Sequence, residues 1–295
     1  MILDSLKSLV LDPPPGMAFE VSEAGIAAAR IGAHTELDFR ELAPGVLSIS
    51  PLKENVLNEA AFTAAVKALA TAHAGRKGKD ATLILPDFST RTTVLDFDTF
   101  PTDLEEQLGL IRFRLKRSVP FDVETAAVSF FPQPGPKRVD VVVVMAPLEI
   151  VSRFEAPFRA AGLNPGLVTT SSLAAMELAP EGGLTMIAKL TGRSLTLLVR
   201  DKTTLKLIRC LELPTSELED ITAVLVPTFV YMEDNLGGRA EKLLLCGFGA
   251  RTEEAKRLFE QELAVSVDEL RSPLGVPGEH NAGLLGYLRS VARNN

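Results

Sequence analysis

Short apolar blocks separated by turn residues fill the first third of the chain. Leu3, Leu6, Leu9 and Val10 recur at helical spacing before Pro13, Pro14 and Pro15, which predicts a short amphipathic N-terminal helix. Lys7 stands there against Asp4 and Asp12, so the helix lacks the basic face of a membrane-surface helix and is read as docking on the protein's own surface. MAFEVSE, GIAAARIG and LDFREL then read as a three-strand meander, with Gly25 placed to supply a positive φ in the first turn. From Asn58 to His73, Ala61, Phe62, Ala65, Val66 and Leu69 share one helical face. A basic loop with Arg76, Lys77 and Lys79 follows, read as a solvated connector, and ATLILP is a buried strand.

The same order returns in the second half. LTMIAKL, SLTLLVR and LKLIRCLEL form another meander, a helical stretch covers Ser216 to Leu236, and KLLLCG is the buried strand after it. Repetition of strand, strand, strand, helix, strand at similar spacing predicts an internal duplication, and 295 residues suffice for two cores. Between the halves lies a different segment. Leu104, Leu108, Ile111 and Leu115 mark a helix with Thr102 as its candidate cap; ETAAVSFF, a Pro/Gly turn and VDVVVVMAP follow as strands; and LEIVSRFEAPFRAAG is a helix that Pro157 should kink or break. The expected organisation is a terminal helix and linker over 1–16, a first lobe over 17–101, an inserted subdomain over 102–162, a return to the first lobe over 163–182 and a second lobe over 183–295.

Composition narrows the function. A net charge of −7 disfavours the phosphate attraction on which nucleic-acid binders depend. No apolar run approaches the roughly 20 residues that span a bilayer, and the N-terminus lacks a signal-peptide pattern, so a cytoplasmic protein without direct membrane insertion is expected. Cys210 and Cys246 lie in separate strand-like runs and read as free buried thiols. His34, His73 and His280 have neither catalytic nor metal-ligand spacing, and neither a nucleophile-elbow nor a P-loop motif occurs.

Four stretches carry a family likeness: LPD at Leu85 to Asp87, SVPFD at Ser118 to Asp122, AAGLNPGLVTTSSLAAMEL at Ala160 to Leu178, and GFGAR at Gly247 to Arg251. In this order and spacing, and over nearly the whole chain from Met17 to Arg293, the sequence resembles the PilM family of actin-like type IV pilus assembly proteins. The cell-division protein FtsA and the cytoplasmic part of the secretion protein GspL belong to the same group. The resemblance implies an α/β, actin-like, duplicated ribonuclease-H-like fold of two lobes with a small inserted α/β subdomain. It also implies a site for ATP and magnesium built from two phosphate-binding hairpins and a glycine-rich adenosine loop.

Carried over to this chain, the first hairpin would contribute Glu20, Ser22 and Gly25, with Glu20 in place of the family's Asp and Ser22 in place of its Gly. Glu23 would add a second carboxylate facing the phosphates. The second hairpin would contribute Lys189, Thr191 and Gly192, with Lys189 where the family's second Asp stands. The adenosine loop would be Gly247, Phe248 and Gly249, Phe248 replacing a third glycine. A lysine cannot ligate magnesium but can meet a phosphate as a point charge, so weak nucleotide binding stays open while hydrolysis loses a supporting carboxylate.

For the partner, the resemblance implies that a groove at the inserted subdomain and its junction with the first lobe takes the N-terminal peptide of a PilN-like inner-membrane protein. Arg112, Arg114, Lys116 and Arg117 are basic residues beside it and read either as a solvated helix face or as a cluster that favours an acidic segment. Ala282, Gly283 and Gly286 match the small-residue helix that packs closely in actin-like proteins. The expectation is a cytoplasmic scaffold with a degenerate nucleotide site. The alternatives left open are a working Mg-ATP-binding ATPase, a GspL-like secretion component and homo-oligomer formation.

Overall fold

The computed structural model describes residues 15–31, 35–52, 54–72 and 79–294. The N-terminal helix expected over the first dozen residues, His34, His73, Arg76 and Lys77 lie outside them.

The first meander forms because its apolar residues run in unbroken blocks, which suit strands covered on both faces. β1 (Met17–Ser22) is buried throughout and β2 (Gly25–Arg30) nearly so, while β3 (Glu36–Glu41) is exposed along its length. β3 is an edge strand, and Glu36, Asp38, Arg40 and Glu41 supply the charges that discourage pairing with other chains. Helix α1 (Glu59–Ala72) leads to β4 (Asp80–Leu85), which lies parallel to β1, and β8 (Asn164–Thr170) adds parallel to β4. The sheet order is β3-β2-β1-β4-β8.

The second half is built the same way. β9 (Thr185–Thr191), β10 (Ser194–Asp201) and β11 (Thr204–Glu212) form an antiparallel meander, α5 (Leu218–Leu236) follows, and β12 (Lys242–Cys246) pairs parallel with β9. After α6 (Thr252–Leu263), the short β13 (Ser266–Glu269) adds parallel to β12, giving the order β11-β10-β9-β12-β13. Identical strand order in both sheets bears out the duplication. The repeated unit has a fifth strand that hydrophobic pattern did not reveal. Compact units divide at Ser171 and Ser172, within the short helix α4 (Ser171–Ala175), so the return to the first lobe ends before the expected residue 182.

A third sheet, β5-β7-β6, is inserted between β4 and β8. It consists of β5 (Arg91–Phe97), β6 (Ala126–Pro134) and β7 (Val139–Pro147), with α2 (Leu104–Leu115) between β5 and β6. Two boundaries therefore move. The insert starts at β5, ahead of residue 102, because β5 hydrogen-bonds along β7 from Arg91–Met145 to Phe97–Val139. It ends with β7, because α3 (Leu148–Ala160) packs into the first lobe's core instead: Phe158 meets Phe19 edge-on at 5.1 Å and Phe62 at 6.2 Å. Edge-to-face pairs of this kind contribute about 0.5–1.5 kcal/mol each beyond simple burial. α3 precedes β8 as α6 precedes β13, so it is part of the duplicated unit.

Pro157 does not break α3. It sits in the last turn, and the Ala161 amide still bonds the Pro157 carbonyl at 3.0 Å. The cap of α2 is Asp103 rather than Thr102: its carboxylate accepts from the amides of Glu105 and Glu106, both at 3.0 Å. A carboxylate suits the helix N-terminus better, since it answers the positive dipole end as well as the orphan donors. The final helix, α7 (Ala282–Asn294), closes the second lobe against the turn at Met176–Leu178. Cys246 is buried and Cys210 half-buried, and neither is in a disulfide.

Candidate functional site

The first hairpin turns through Ser22, Glu23, Ala24 and Gly25. The Ser22 hydroxyl donates to the Gly25 carbonyl at 2.9 Å and its oxygen accepts the Gly25 amide at 3.2 Å, so the side chain expected at a phosphate closes its own turn. Gly25 is required for space and not for a positive φ: a Cβ there would lie 2.5 Å from the Arg40 carbonyl oxygen on β3. Glu23 is directed away from its expected place, since its carboxylate accepts the Ile49 amide at 2.6 Å. Glu20, only 1% exposed, accepts a hydrogen bond from the Ser171 hydroxyl at the start of α4. A carboxylate buried this deeply has to be hydrogen-bonded, and Ser171 is a partner that sequence reading did not find.

The second hairpin turns at Gly192, whose φ of +57° is left-handed. Lys189 on β9 is 2% exposed and its ammonium donates to Thr191 Oγ1 at 2.9 Å. The Thr191 hydroxyl donates in turn to the Glu279 carbonyl at 3.4 Å, and the Gly192 amide donates to the Glu279 carboxylate at 3.2 Å. Glu279 comes from the loop before α7 and was not a sequence candidate. The Pro277-Gly278 turn ahead of the helix is the one local signal that this loop doubles back.

The glycine loop adjoins this hairpin because β12 runs beside β9, with Cys246 opposite Lys189. Gly247 has φ +83°, and a Cβ there would stand 2.0 Å from the Leu190 carbonyl oxygen. Gly249 is left-handed at +54° with nothing within 4 Å of a Cβ. Phe248 is a core residue, 4% exposed, with its ring 6.0 Å from that of Phe259. Glu253 and Glu254 occupy the first turn of α6, so carboxylates already answer the positive end of that helix. The structure thus brings Lys189, Thr191, Gly192 and Gly247 together with Glu279 and His280.

Burial, the largest cause, holds His280 below the usual imidazole range; the Lys189 ammonium adds to this and Glu279 opposes it. A base with a depressed folded pKa is protonated first in the unfolded chain. Its contribution is therefore complete above the ordinary value of about 6.5 and is lost as pH falls through the folded value. Urea unfolding should show a falling midpoint between pH 7 and pH 5, and His280→Gln should flatten that slope.

These residues do not suit magnesium. The buried Lys189 ammonium stands at the second hairpin, and an ammonium repels a cation. Among the described residues, no cluster of three or more His, Cys, Asp or Glu side chains is placed to hold a metal ion.

On the inserted subdomain, α2 borders a groove of about 530 Å³ lined by Glu105, Leu108, Gly109, Arg112, Phe113 and Lys116, with Glu124 opposite. Only part of the predicted apolar stripe is core: Ile111 and Leu115 are buried, whereas Leu104 is 60% exposed. Phe113, off that stripe, is 77% exposed. Its position out of register with the leucines was the sequence signal for it. The four basic candidates separate. Arg112 and Lys116 line the groove; Arg114 turns to Asp96 at 3.6 Å and lies 5.2 Å over the Phe97 ring; Arg117 is exposed outside the lining. Arg112 faces Glu124 at 3.9 Å, so two carboxylates balance two cations and the groove carries no net positive charge.

Among the described residues no helix is long and apolar enough to cross a membrane. Neither a family model nor a curated protein matches the sequence. Solved structures are similar in fold. One is described as the PilM-PilN type IV pilus biogenesis complex, with TM-score 0.78 and 18% identity over 95% of this chain and 99% of that one. Another, from Bacteroides thetaiotaomicron, is described as a protein with actin-like ATPase fold and unknown function, with TM-score 0.58 and 14% identity over 92% and 94% of the two chains. The fold is actin-like, as the resemblance implied.

Proposed function

We propose that this chain is a docking scaffold of type IV pilus or related secretion machinery. It holds the N-terminal peptide of a PilN-like inner-membrane protein in the α2 groove and works at the cytoplasmic side of that membrane through its partner. Nucleotide is bound weakly or not at all. The observation that carries this reading is Phe113, a large aromatic left in solvent on the rim of a groove on the inserted subdomain. Exposed aromatics beside a recess are the side chains on which interface energies concentrate. Similarity along nearly the full length to the PilM–PilN complex supports the choice of partner.

The balanced charge of the groove changes the expected ligand. Apolar contact with Leu108 and Phe113 supplies affinity, and Arg112, Lys116, Glu105 and Glu124 set the register of a peptide with mixed charge. Binding should therefore vary little between low and physiological salt. The test is fluorescence anisotropy of a labelled N-terminal peptide from the PilN-like protein of the same genome. Phe113→Asp should weaken binding by about thirtyfold, the scale of a hot-spot loss near 2 kcal/mol, with an unchanged melting temperature. Arg114→Glu should leave binding unaltered, because that side chain is engaged with Asp96 and Phe97. Wild-type affinity in Phe113→Asp would overturn the docking assignment.

A further inference from the structure

We propose that Glu279 is a built-in anion: it fills the place at the second hairpin that an external phosphate would take, and so makes that turn autoinhibited toward nucleotide. The inference rests on reading this hairpin as a degenerate phosphate-binding element.

Backbone amides of such a turn hold anions because several N–H dipoles converge where no side chain intrudes. Gly192 offers that geometry, with a left-handed φ and open space where a Cβ would be. Its amide already donates to the Glu279 carboxylate at 3.2 Å. Thr191, the hydroxyl residue beside it, is engaged by the same residue: it donates to the Glu279 carbonyl at 3.4 Å while accepting from Lys189 at 2.9 Å. The aliphatic part of Glu279 lies beside the glycine loop, since a Cβ on Gly247 would stand 3.3 Å from its Cγ. Backbone carbonyl, side-chain stem and carboxylate thus all rest on the hairpin and the glycine loop. An incoming phosphate would meet a carboxylate on the donor it needs, and like charges at hydrogen-bonding distance exclude one another.

Removing the carboxylate should open the turn. Binding of Mg-ATP and, separately, of inorganic phosphate is measured by calorimetry on wild type, Glu279→Ala and Glu279→Gln. Circular dichroism checks that each variant is folded. The expected result is a gain of at least about tenfold in affinity for both anions in Glu279→Ala, the scale of one charge-assisted hydrogen bond released to the ligand. Glu279→Gln should show a smaller gain, because its amide oxygen still accepts from Gly192 without the charge. If Glu279→Ala cannot be purified folded, the Gln variant decides. Affinities equal to wild type in the folded variants overturn the inference, whether wild type binds well or not at all. Peptide docking is read independently: anisotropy of the PilN-like peptide should be the same in Glu279→Ala and wild type, whereas failure of the docking reading would appear in Phe113→Asp.

Discussion

Gly286→Ala should lower the melting temperature by about 4–8 °C. Two effects oppose each other at this position. Alanine is the better helix former by about 1 kcal/mol, so propensity alone would raise stability. The added Cβ, however, would sit 2.0 Å from the Ala174 carbonyl oxygen and 2.8 Å from the Cα of Ala175. Both are backbone atoms and cannot swing away, so α7 itself must move. Arg289 on the same helix donates to the Leu178 carbonyl at 2.8 Å, which ties α7 to the chain it would have to leave. Overpacking of this kind costs about 3 kcal/mol, which leaves about 2 kcal/mol after the gain in propensity, and each kcal/mol is worth about 2–4 °C in a domain of this size. Close approach therefore wins over propensity. Gly109 on α2 is the control: it too is helical, but nothing lies within 4 Å of its Cβ position, so Gly109→Ala should be neutral or stabilising by up to about 1 kcal/mol. A thermal melt in which Gly286→Ala also gains stability would show that α7 has room to spare.

Gly247→Ala should destabilise the second lobe by several kcal/mol, whereas Gly249→Ala should cost only about 1–2 kcal/mol. Both residues are left-handed, which penalises any L side chain by about that smaller amount. Gly247 carries the additional clash with the Leu190 carbonyl at 2.0 Å, a strand atom fixed by the sheet. The inequality separates two reasons for a glycine in this loop. A loop kept for ligand approach would lose nucleotide affinity equally with either alanine and stay folded. A loop shaped by packing would lose stability at Gly247 first, and urea midpoints of the two variants distinguish the cases. The Phe248 ring, packed on Phe259 inside the lobe, already argues that the middle of this loop serves the core.

Much of the fold was legible because apolar blocks set strands and helices locally. The two meanders, the helices after them and the strand that follows each repeat at matching positions, and strand order then shows the duplication directly. What escaped depended on contacts distant in sequence. β13 is four residues long with only Val267 buried among them, too short and polar for periodicity to register. β5 is a strand because β7 pairs with it some fifty residues later, and no local pattern announces that. The helix around Phe154 and Phe158 has the same amphipathic pattern whichever core it joins, so its sequence does not assign it to the first lobe.

The candidate residues were legible in kind and not in direction. Lys189 and Gly247 lie far apart in sequence, and the order of strands places their stretches side by side. Glu23, by contrast, reads from sequence as a carboxylate facing the turn, and only the Ile49 amide from another loop shows where it goes. Arg114 stands among basic neighbours in sequence, yet helix geometry sends it to Asp96 while Arg112 and Lys116 face the groove. Glu279 had no signal of its own, since its role is set entirely by where its loop lands.

Docking without turnover is tested most directly by phosphate release from the purified chain at saturating Mg-ATP, alone and with the PilN-like peptide. The buried Lys189 ammonium at the second hairpin, with Glu279 seated on the turn amide, predicts release indistinguishable from the no-enzyme control under both conditions. Release above that control, abolished by Lys189→Ala in a folded protein, would contradict it and make this chain a working ATPase.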